Sequence, residues 1–318
     1  MNEIKLDKID IKLLCFIFDN FRLPLTIIAK KCQISREQVE YRIKKYEEVG
    51  LIKNYYTIFN LSALEYNKNY IVKLRVKNPK SEKLSQINSI ENVIIMSKLQ
   101  CIGNWDYILT IFTKEKTSIL DFISILYELW KTELLDYEIF EPIEMHFFPL
   151  RIFGNKKEDK ILTLVETEKT IIDKVDNKII EVISNNAKIK IIELADKIKE
   201  KPETVNYRLK KLERENSIIG YRLFLDLNII GYKLTQLIVK LNNISKLNIK
   251  KITNYAKSQE KIHALSIGIG KFNAIFQIIY KTPSELSEEI NKIKENFSEN
   301  IVEYELIHIE KELIPKTI

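Results

Sequence analysis

The sequence repeats itself. Displaced by 166 residues, DIKLLCFIFDNFRLPLTIIAKKCQISREQVEYRIKKYEEVGLIKNYY from Asp10 lies over DNKIIEVISNNAKIKIIELADKIKEKPETVNYRLKKLERENSIIGYR from Asp176 without a gap. From position 10 to 66, 17 of 57 residues coincide, among them Asp10/Asp176, Asn20/Asn186, Ala29/Ala195, Val39/Val205, Tyr41/Tyr207, Arg42/Arg208, Lys44/Lys210, Lys45/Lys211, Ile52/Ile218 and Tyr55/Tyr221. With one residue of slippage, CIGNWDYILTIF (101–112) is set over IGIGKFNAIFQIIY (267–280). Self-similarity at a fixed period governs the reading of a whole chain, because each copy must contain the same supersecondary parts. The 318 residues therefore divide into two units of about 160 residues each, built from the same parts in the same order.

Each unit opens with three short helical patterns. Ile9, Leu13, Leu14, Ile17 and Phe18 recur at helix spacing, Pro24 interrupts, and Leu25, Ile28 and Ala29 begin a second helix that reaches Lys31 or Cys32. Ser35 is a good N-cap for a third helix, along which Val39, Ile43 and Tyr46 line one face. Gly50 fits the left-handed C′ position that ends it, and LIKNYYTIF follows as a strand. In the second unit Lys201 stands for the capping serine and Pro202 for helix position N1; Val205, Leu209 and Leu212 face inward, and a strand runs from Ile218 to Leu225. Three helices and a strand in this order predict a winged helix-turn-helix.

The rest of each unit reads β-α-β-β-α-β. In unit one the segments are NYIVKLRV, PKSEKLSQINSI, NVIIMSKLQC, DYILTIF, TSILDFISILYELW and LDYEIFEPIEMHFF; unit two echoes them from KLTQLIVKL to IVEYELIHIEKEL. Two interleaved βαβ halves give a ferredoxin-like module, an antiparallel sheet with helices on one side. The strand NYIVKLRV carries apolar residues on both sides, read as Ile71, Leu74 and Val76 against Val72. Its free face must be covered, and a second sheet supplied by the other copy can cover it. The expected class is α+β, a tandem duplication of winged helix-turn-helix plus ferredoxin-like module. The boundaries are 1–62, 63–150, a connection at 151–170, 171–228 and 229–318, with ILTLV (161–165) open to reading as linker or as an extra strand.

Composition narrows the chemistry. Seven glycines in 318 residues leave no G-x-x-x-x-G-K-[ST] and no complete G-x-G-x-x-G, so a backbone cradle for nucleotide phosphates is not expected. Cys15, Cys32 and Cys101 form no C-x-x-C, and His146, His263 and His308 form no ligand cluster, so neither metal nor cofactor is expected. No apolar run reaches the length of a bilayer span and no signal-like stretch opens the chain, which points to a cytoplasmic protein with no membrane partner. A net charge of +7 from 51 basic and 44 acidic residues permits nucleic acid without demanding it.

A winged helix-turn-helix followed by βαββαβ resembles the Lrp/AsnC family of feast/famine transcriptional regulators. LDKIDIKLLCFIFDNFRLPLTIIAKKCQISREQVEYRIKKYEEVGLIKNYY is similar to that family's amino-terminal signature nearly throughout, and Gly103-Asn104-Trp105-Asp106 resembles its effector-module turn. The resemblance implies a sequence-specific double-stranded DNA-binding regulator without enzymatic activity, modulated at its effector modules by a small molecule such as an amino acid. Family members usually carry one unit and pair through their sheets, so two units imply an intramolecular pseudo-dimer, with a homodimer of chains as a further step. Two alternatives accompany it: a siroheme decarboxylase-type enzyme, since Lrp-like pairs fused in one chain occur there, and a sensory or scaffold protein that leaves DNA alone.

If the third helix enters the major groove, its early exposed residues reach base edges and later basic residues hold phosphates. Arg36 and Gln38 suit guanine and adenine, with Thr204 and Asn206 in the same places of unit two. Ser35 caps the helix; Lys44, Lys45, Lys210 and Lys211 are candidate phosphate contacts, as are Tyr41 and Tyr207, which could instead pack against the wing. The bland reading, a solvated helix face, draws support from Glu37, Glu40, Glu47 and Glu48. Arg42 and Arg208 are expected in structural ion pairs with Asp10 and Asp176. The effector candidates Gly103, Asn104, Asp106, Gly270 and Asn273 read equally well as hairpin turns stabilised by Asp or Asn. Trp105 is large for a turn and suits an interface.

Overall fold

The structure is a computed structural model, and it describes residues 4–79, 81–87, 90–114, 118–154, 161–164 and 171–313. Head one comprises α1 (Lys8–Asp19), α2 (Leu25–Cys32), α3 (Arg36–Glu48) and the linking strand β1 (Ile52–Phe59). Its module is β2 (Lys68–Val76), α4 (Ser81–Gln86), β3 (Val93–Ile102), β4 (Tyr107–Thr113), α5 (Ile119–Trp130) and β5 (Leu134–Phe147). A short β6 (Leu162–Leu164) follows. Head two has α6 (Lys174–Asn185), α7 (Ile191–Ile198), α8 (Pro202–Arg214) and β7 (Ile218–Leu225). Its module is β8 (Lys233–Leu241), α9 (Lys246–Ser258), β9 (Ile262–Ile269), β10 (Ala274–Tyr280), α10 (Pro283–Asn296) and β11 (Ile301–Leu313).

Within each module the first strand lies between the third and the fourth, and the third also pairs with the second, the ferredoxin-like order. The two sheets also join edge to edge: β11 pairs antiparallel with β3, and β5 with β9. With β2 bonded to β5, the eight strands close into a barrel, and a closed barrel leaves no unpaired edge. The sequence expectation of one sheet covering another is met across the barrel interior, but the seams come from long fourth strands that outrun their own sheets. β6 pairs with the end of β5 through Met145–Leu164 and Phe147–Leu162 partners, so Leu162–Leu164 of the ILTLV stretch form a strand, while Val165 lies outside the described residues.

Strand alternation corrects one face. Val72, Leu74 and Val76 pack under α4 and α5, with Phe122, Leu126 and Trp130, whereas Ile71 points into the barrel. Successive side chains alternate faces, so Leu74 and Val76 share the side of Val72. In the interior, Lys73 is buried between the modules. Its Nζ lies 2.8 Å from Glu138 of β5 and 3.3 Å from Glu305 of β11, and the charge sits 4.7 Å from the Trp105 ring and 5.1 Å from Phe272. Trp105 donates its indole N–H to Glu305, so the large turn residue is indeed an interface residue between the units.

Candidate nucleic-acid interface

Both heads are built as their sequences dictate, with one difference at the start of the third helix. Ser35 and Gln38 form a capping box: the serine hydroxyl accepts from the Gln38 N–H, and the Gln38 side chain accepts from the Ser35 N–H. Helix α8 has no side-chain cap bond and starts on Pro202, whose missing N–H would be unpaired in any case. Both helices then end alike. Gly50 takes φ +77°, and Asn216, which stands in its place, takes φ +56°, the left-handed conformation that asparagine tolerates best after glycine.

The outer face of α3 carries Tyr41 at 69% exposure, with Arg36, Gln38, Lys44 and Lys45 also exposed. Arg36 pairs with Glu40 at 3.0 Å and Lys44 with Glu48 at 3.6 Å, both one turn apart and in water, where such pairs open at little cost. Gln38 is partly committed, since its carbonyl oxygen serves the cap and its NH₂ is left for another partner. On α8, Tyr207 is 61% exposed and Lys210 is exposed, whereas Thr204 and Asn206 are half-buried.

The matched basic residues that follow part company. Arg42 bonds both Asp7, at 2.9 Å, and Asp10. Burial works against that charge, but the two carboxylates outweigh it and hold the guanidinium protonated beyond its ordinary range. Arg208 repeats the contact with Asp173 at 2.5 Å and Asp176 at 3.5 Å. Tyr46 donates its hydroxyl to Asp10 at 2.5 Å; burial first, then that carboxylate, pushes the phenol up. Unit two has Leu212 in place of Tyr46, and the donor is replaced from elsewhere: Lys211 turns inward and bonds the fully buried Asp176 at 3.1 Å. Lys211 is therefore removed from the phosphate candidates, while Lys45, its counterpart, stays exposed.

The turns proposed for an effector are occupied by their own sheets. Asp106 Oδ2 accepts from the Val76 N–H at 2.7 Å, and Asn273 holds both the N–H and the C=O of Leu241, at 2.7 and 2.9 Å. Each thus pins the end of its module's first strand, the hairpin reading. Gly103, at φ +132°, adopts a backbone conformation that favours glycine, and Asn104 donates to Glu305 of the other unit. Gly270 has Ile139 and Phe272 carbonyl oxygens 3.1 Å from where a Cβ would stand, so it admits close packing at the β5–β9 seam.

A group that sequence reasoning passed over gathers where the heads meet the barrel. Arg222 of β7, nearly fully buried, faces Tyr56 across the β1–β7 ladder and lies 5.1 Å over the Phe18 ring; His263 stacks obliquely on the same ring at 6.2 Å. Burial, then the Arg222 charge, pushes His263 down to about 3. Arg222 also lines a cleft of about 310 Å³ with Asn20, Leu162, Glu213 and Tyr221. The signal for this group was faint, a lone Arg and a lone His in strand patterns.

The winged helix-turn-helix DNA-binding family matches residues 6–53 and 172–218, one match for each head. The chain is 26% identical over 124 residues to the HTH-type transcriptional regulator FL11 of Pyrococcus abyssi, covering 39% of this chain and 82% of that one. It is 27% identical over 136 residues to the leucine-responsive regulatory protein of Rhizobium meliloti, covering 42% and 86%. The chain is of the Lrp/AsnC type. Its relatives correspond to one unit, and this Lrp/AsnC-type chain carries two. The tandem arrangement itself has a solved counterpart in fold: the siroheme decarboxylase NirDL superposes with a TM-score of 0.62 at 12% identity, over 98% of this chain and 94% of that one. Among the described residues, no helix is long and apolar enough to cross a membrane.

Proposed function

We propose that this Lrp/AsnC-type chain is a DNA-binding transcriptional regulator whose two heads grip one duplex from a single polypeptide. The observation that carries the reading is the pair of complete winged helix-turn-helix heads, each presenting an exposed face on its third helix. Arg36 and the NH₂ of Gln38 take the base-reading positions in head one, and Lys44, Lys45 and Tyr41 the phosphate positions. In head two, Asn206 and Thr204 take the reading positions, and Lys210 and Tyr207 hold the backbone. Charge favours unequal heads. On α3 Arg36, Lys44 and Lys45 stand among Glu37, Glu40, Glu47 and Glu48, whereas on α8, with Arg208 and Lys211 held by Asp173 and Asp176, Lys210 and Arg214 stand beside Glu203 and Glu213. In this reading the Gly103–Asp106 and Gly270–Asn273 turns serve the barrel. The test is selection of bound duplexes from a random pool by the full chain, followed by a salt titration. Binding should weaken steeply with salt, and Lys44→Glu with Lys45→Glu should abolish it. Equal binding of selected duplex and heparin at low salt would refute it.

A second reading, an enzyme acting on an acidic tetrapyrrole, is favoured by one observation: a buried arginine, Arg222, beside a neutral histidine, His263. Against it, the 310 Å³ cleft at Arg222 is at the small end of ligand sites, which run about 300–1,000 Å³. Titration with an iron tetrapyrrole separates the two: a Soret shift lost in His263→Gln favours the enzyme, and an unchanged spectrum removes it.

A further inference from the structure

Side-chain contacts cross between the heads in two matched sets. Arg22, in the turn between α1 and α2, donates to the Ala187 and Ile189 carbonyls at 3.0 and 3.3 Å, in the equivalent turn of head two. Its guanidinium lies 4.9 Å from the Tyr221 ring, and the Tyr221 hydroxyl bonds Glu213 of α8 at 2.6 Å. The aligned residue of head two, Lys188, makes the reciprocal contact. Its Nζ is 2.7 Å from Glu47 of α3 and 4.2 Å from the Tyr55 ring, and the Tyr55 hydroxyl bonds Glu47 at 2.6 Å. Burial raises the Glu47 carboxyl, but Lys188 and Tyr55 outweigh it and hold the group below its ordinary value. Phe21 fills the centre, edge-on to both tyrosines at 4.9 and 5.9 Å.

Each cation thus joins the turn of one head to the wing tyrosine of the other, and that tyrosine bonds a glutamate near the end of its own recognition helix. The backbone already pairs β1 with β7, but that ladder shifts register near both ends, between Ile52 and Asn54 and between Ile58 and Phe59. A two-stranded ribbon twists readily, so the ladder alone leaves the angle between heads soft. We propose that this reciprocal clamp, Arg22–Tyr221–Glu213 and Lys188–Tyr55–Glu47, fixes the separation and angle of the two recognition helices and so sets the half-site spacing the chain accepts on DNA. The spacing half rests on the DNA-binding reading; the clamp half does not.

Two readouts on the full chain test it. Nitroxide labels at Glu48→Cys and Arg214→Cys, exposed residues at matched helix ends, report the inter-head distance by pulsed electron paramagnetic resonance; the native cysteines are buried. The parent should give one narrow distribution, broadened in Arg22→Ala/Lys188→Ala. The milder Tyr55→Phe/Tyr221→Phe variant, which removes only the hydroxyl links, should broaden it in part. In the second readout, unlabelled proteins bind duplexes whose two half-sites stand at varied spacings. The parent should lose on the order of 100-fold when the spacer changes by half a helical turn, and the alanine variant only about tenfold. An unchanged distribution in both variants overturns the clamp, whatever happens on DNA. Broadened distances with an unchanged spacing preference overturn its role in operator choice. Narrow distances in a parent that prefers no duplex overturn the DNA reading and leave the clamp supported.

Discussion

Lys45 and Lys211 occupy the same place in the two repeats, and the structure gives them opposite jobs, which a pair of substitutions can expose. Asp176 is fully buried, with one carboxylate oxygen left without a hydrogen-bond partner among the described residues; its other oxygen meets Lys211 at 3.1 Å and Arg208 at 3.5 Å. Lys211→Met keeps the aliphatic stem and deletes the charge. Removing one partner of a buried ion pair costs about 3–5 kcal/mol, and the share retained by Arg208, with the partial exposure of Lys211, brings this to about 2–3 kcal/mol. At about 2–4 °C per kcal/mol for a cooperative unit of this size, the melting temperature should fall by roughly 5–10 °C. Lys45→Met, on an exposed helix face, should leave it within about 1 °C, because surface changes away from special features stay within about 0.5 kcal/mol. DNA affinity should respond in the opposite sense, with Lys45→Met reducing the salt slope by about one phosphate contact. Adding Leu212→Tyr to Lys211→Met should regain part of the loss, since it recreates the hydroxyl that Tyr46 offers to Asp10. Equal melting temperatures for the two lysine variants, measured by circular dichroism, would refute the inward role of Lys211.

Three further outcomes follow from the same geometry. A Cβ at Gly268 would stand 2.1 Å from the Glu141 carbonyl oxygen, so Gly268→Ala should force β5 from β9, costing about 1–3 kcal/mol and speeding amide exchange along that seam but not along β3–β11. Lys73→Met should cost about 3–5 kcal/mol in urea denaturation, because Glu138 and Glu305 would then face each other without the cation; Lys73→Arg should lose much less, and equal losses would discount the charge. His263 is held neutral in the folded chain down to about 3, whereas an unfolded histidine protonates near 6.5. The unfolded state therefore binds more protons between those values, and stability should fall as pH drops from about 6.5 toward 3; His263→Gln should flatten that limb of the stability profile.

The repeat, the helix caps and the strand alternation made most of the fold legible from residues alone. Ser35 announced a cap and became one, Asn216 could replace Gly50 because both enter the left-handed region, and the order β-α-β-β-α-β could close in few ways. These are local properties, settled within a few residues of backbone. Arg42 and Asp10 were also paired on sequence grounds, since a charge beside a buried helix face needs a partner nearby.

What sequence could not decide is which of two identical residues would be used, and for what. Lys45 and Lys211 follow matching residues in the chain but precede different ones; Leu212 lacks the hydroxyl of Tyr46, and a buried carboxylate then takes the nearest cation. The barrel seams, the cation at Lys73 and the clamp through Arg22 and Lys188 all join residues of different units, at separations along the chain where no periodic pattern survives. That one unit is written twice can be read from the residues alone. How the copies divide the work is settled in the packed molecule, because burial gives a charge its cost and its partner, and burial is a property of the whole.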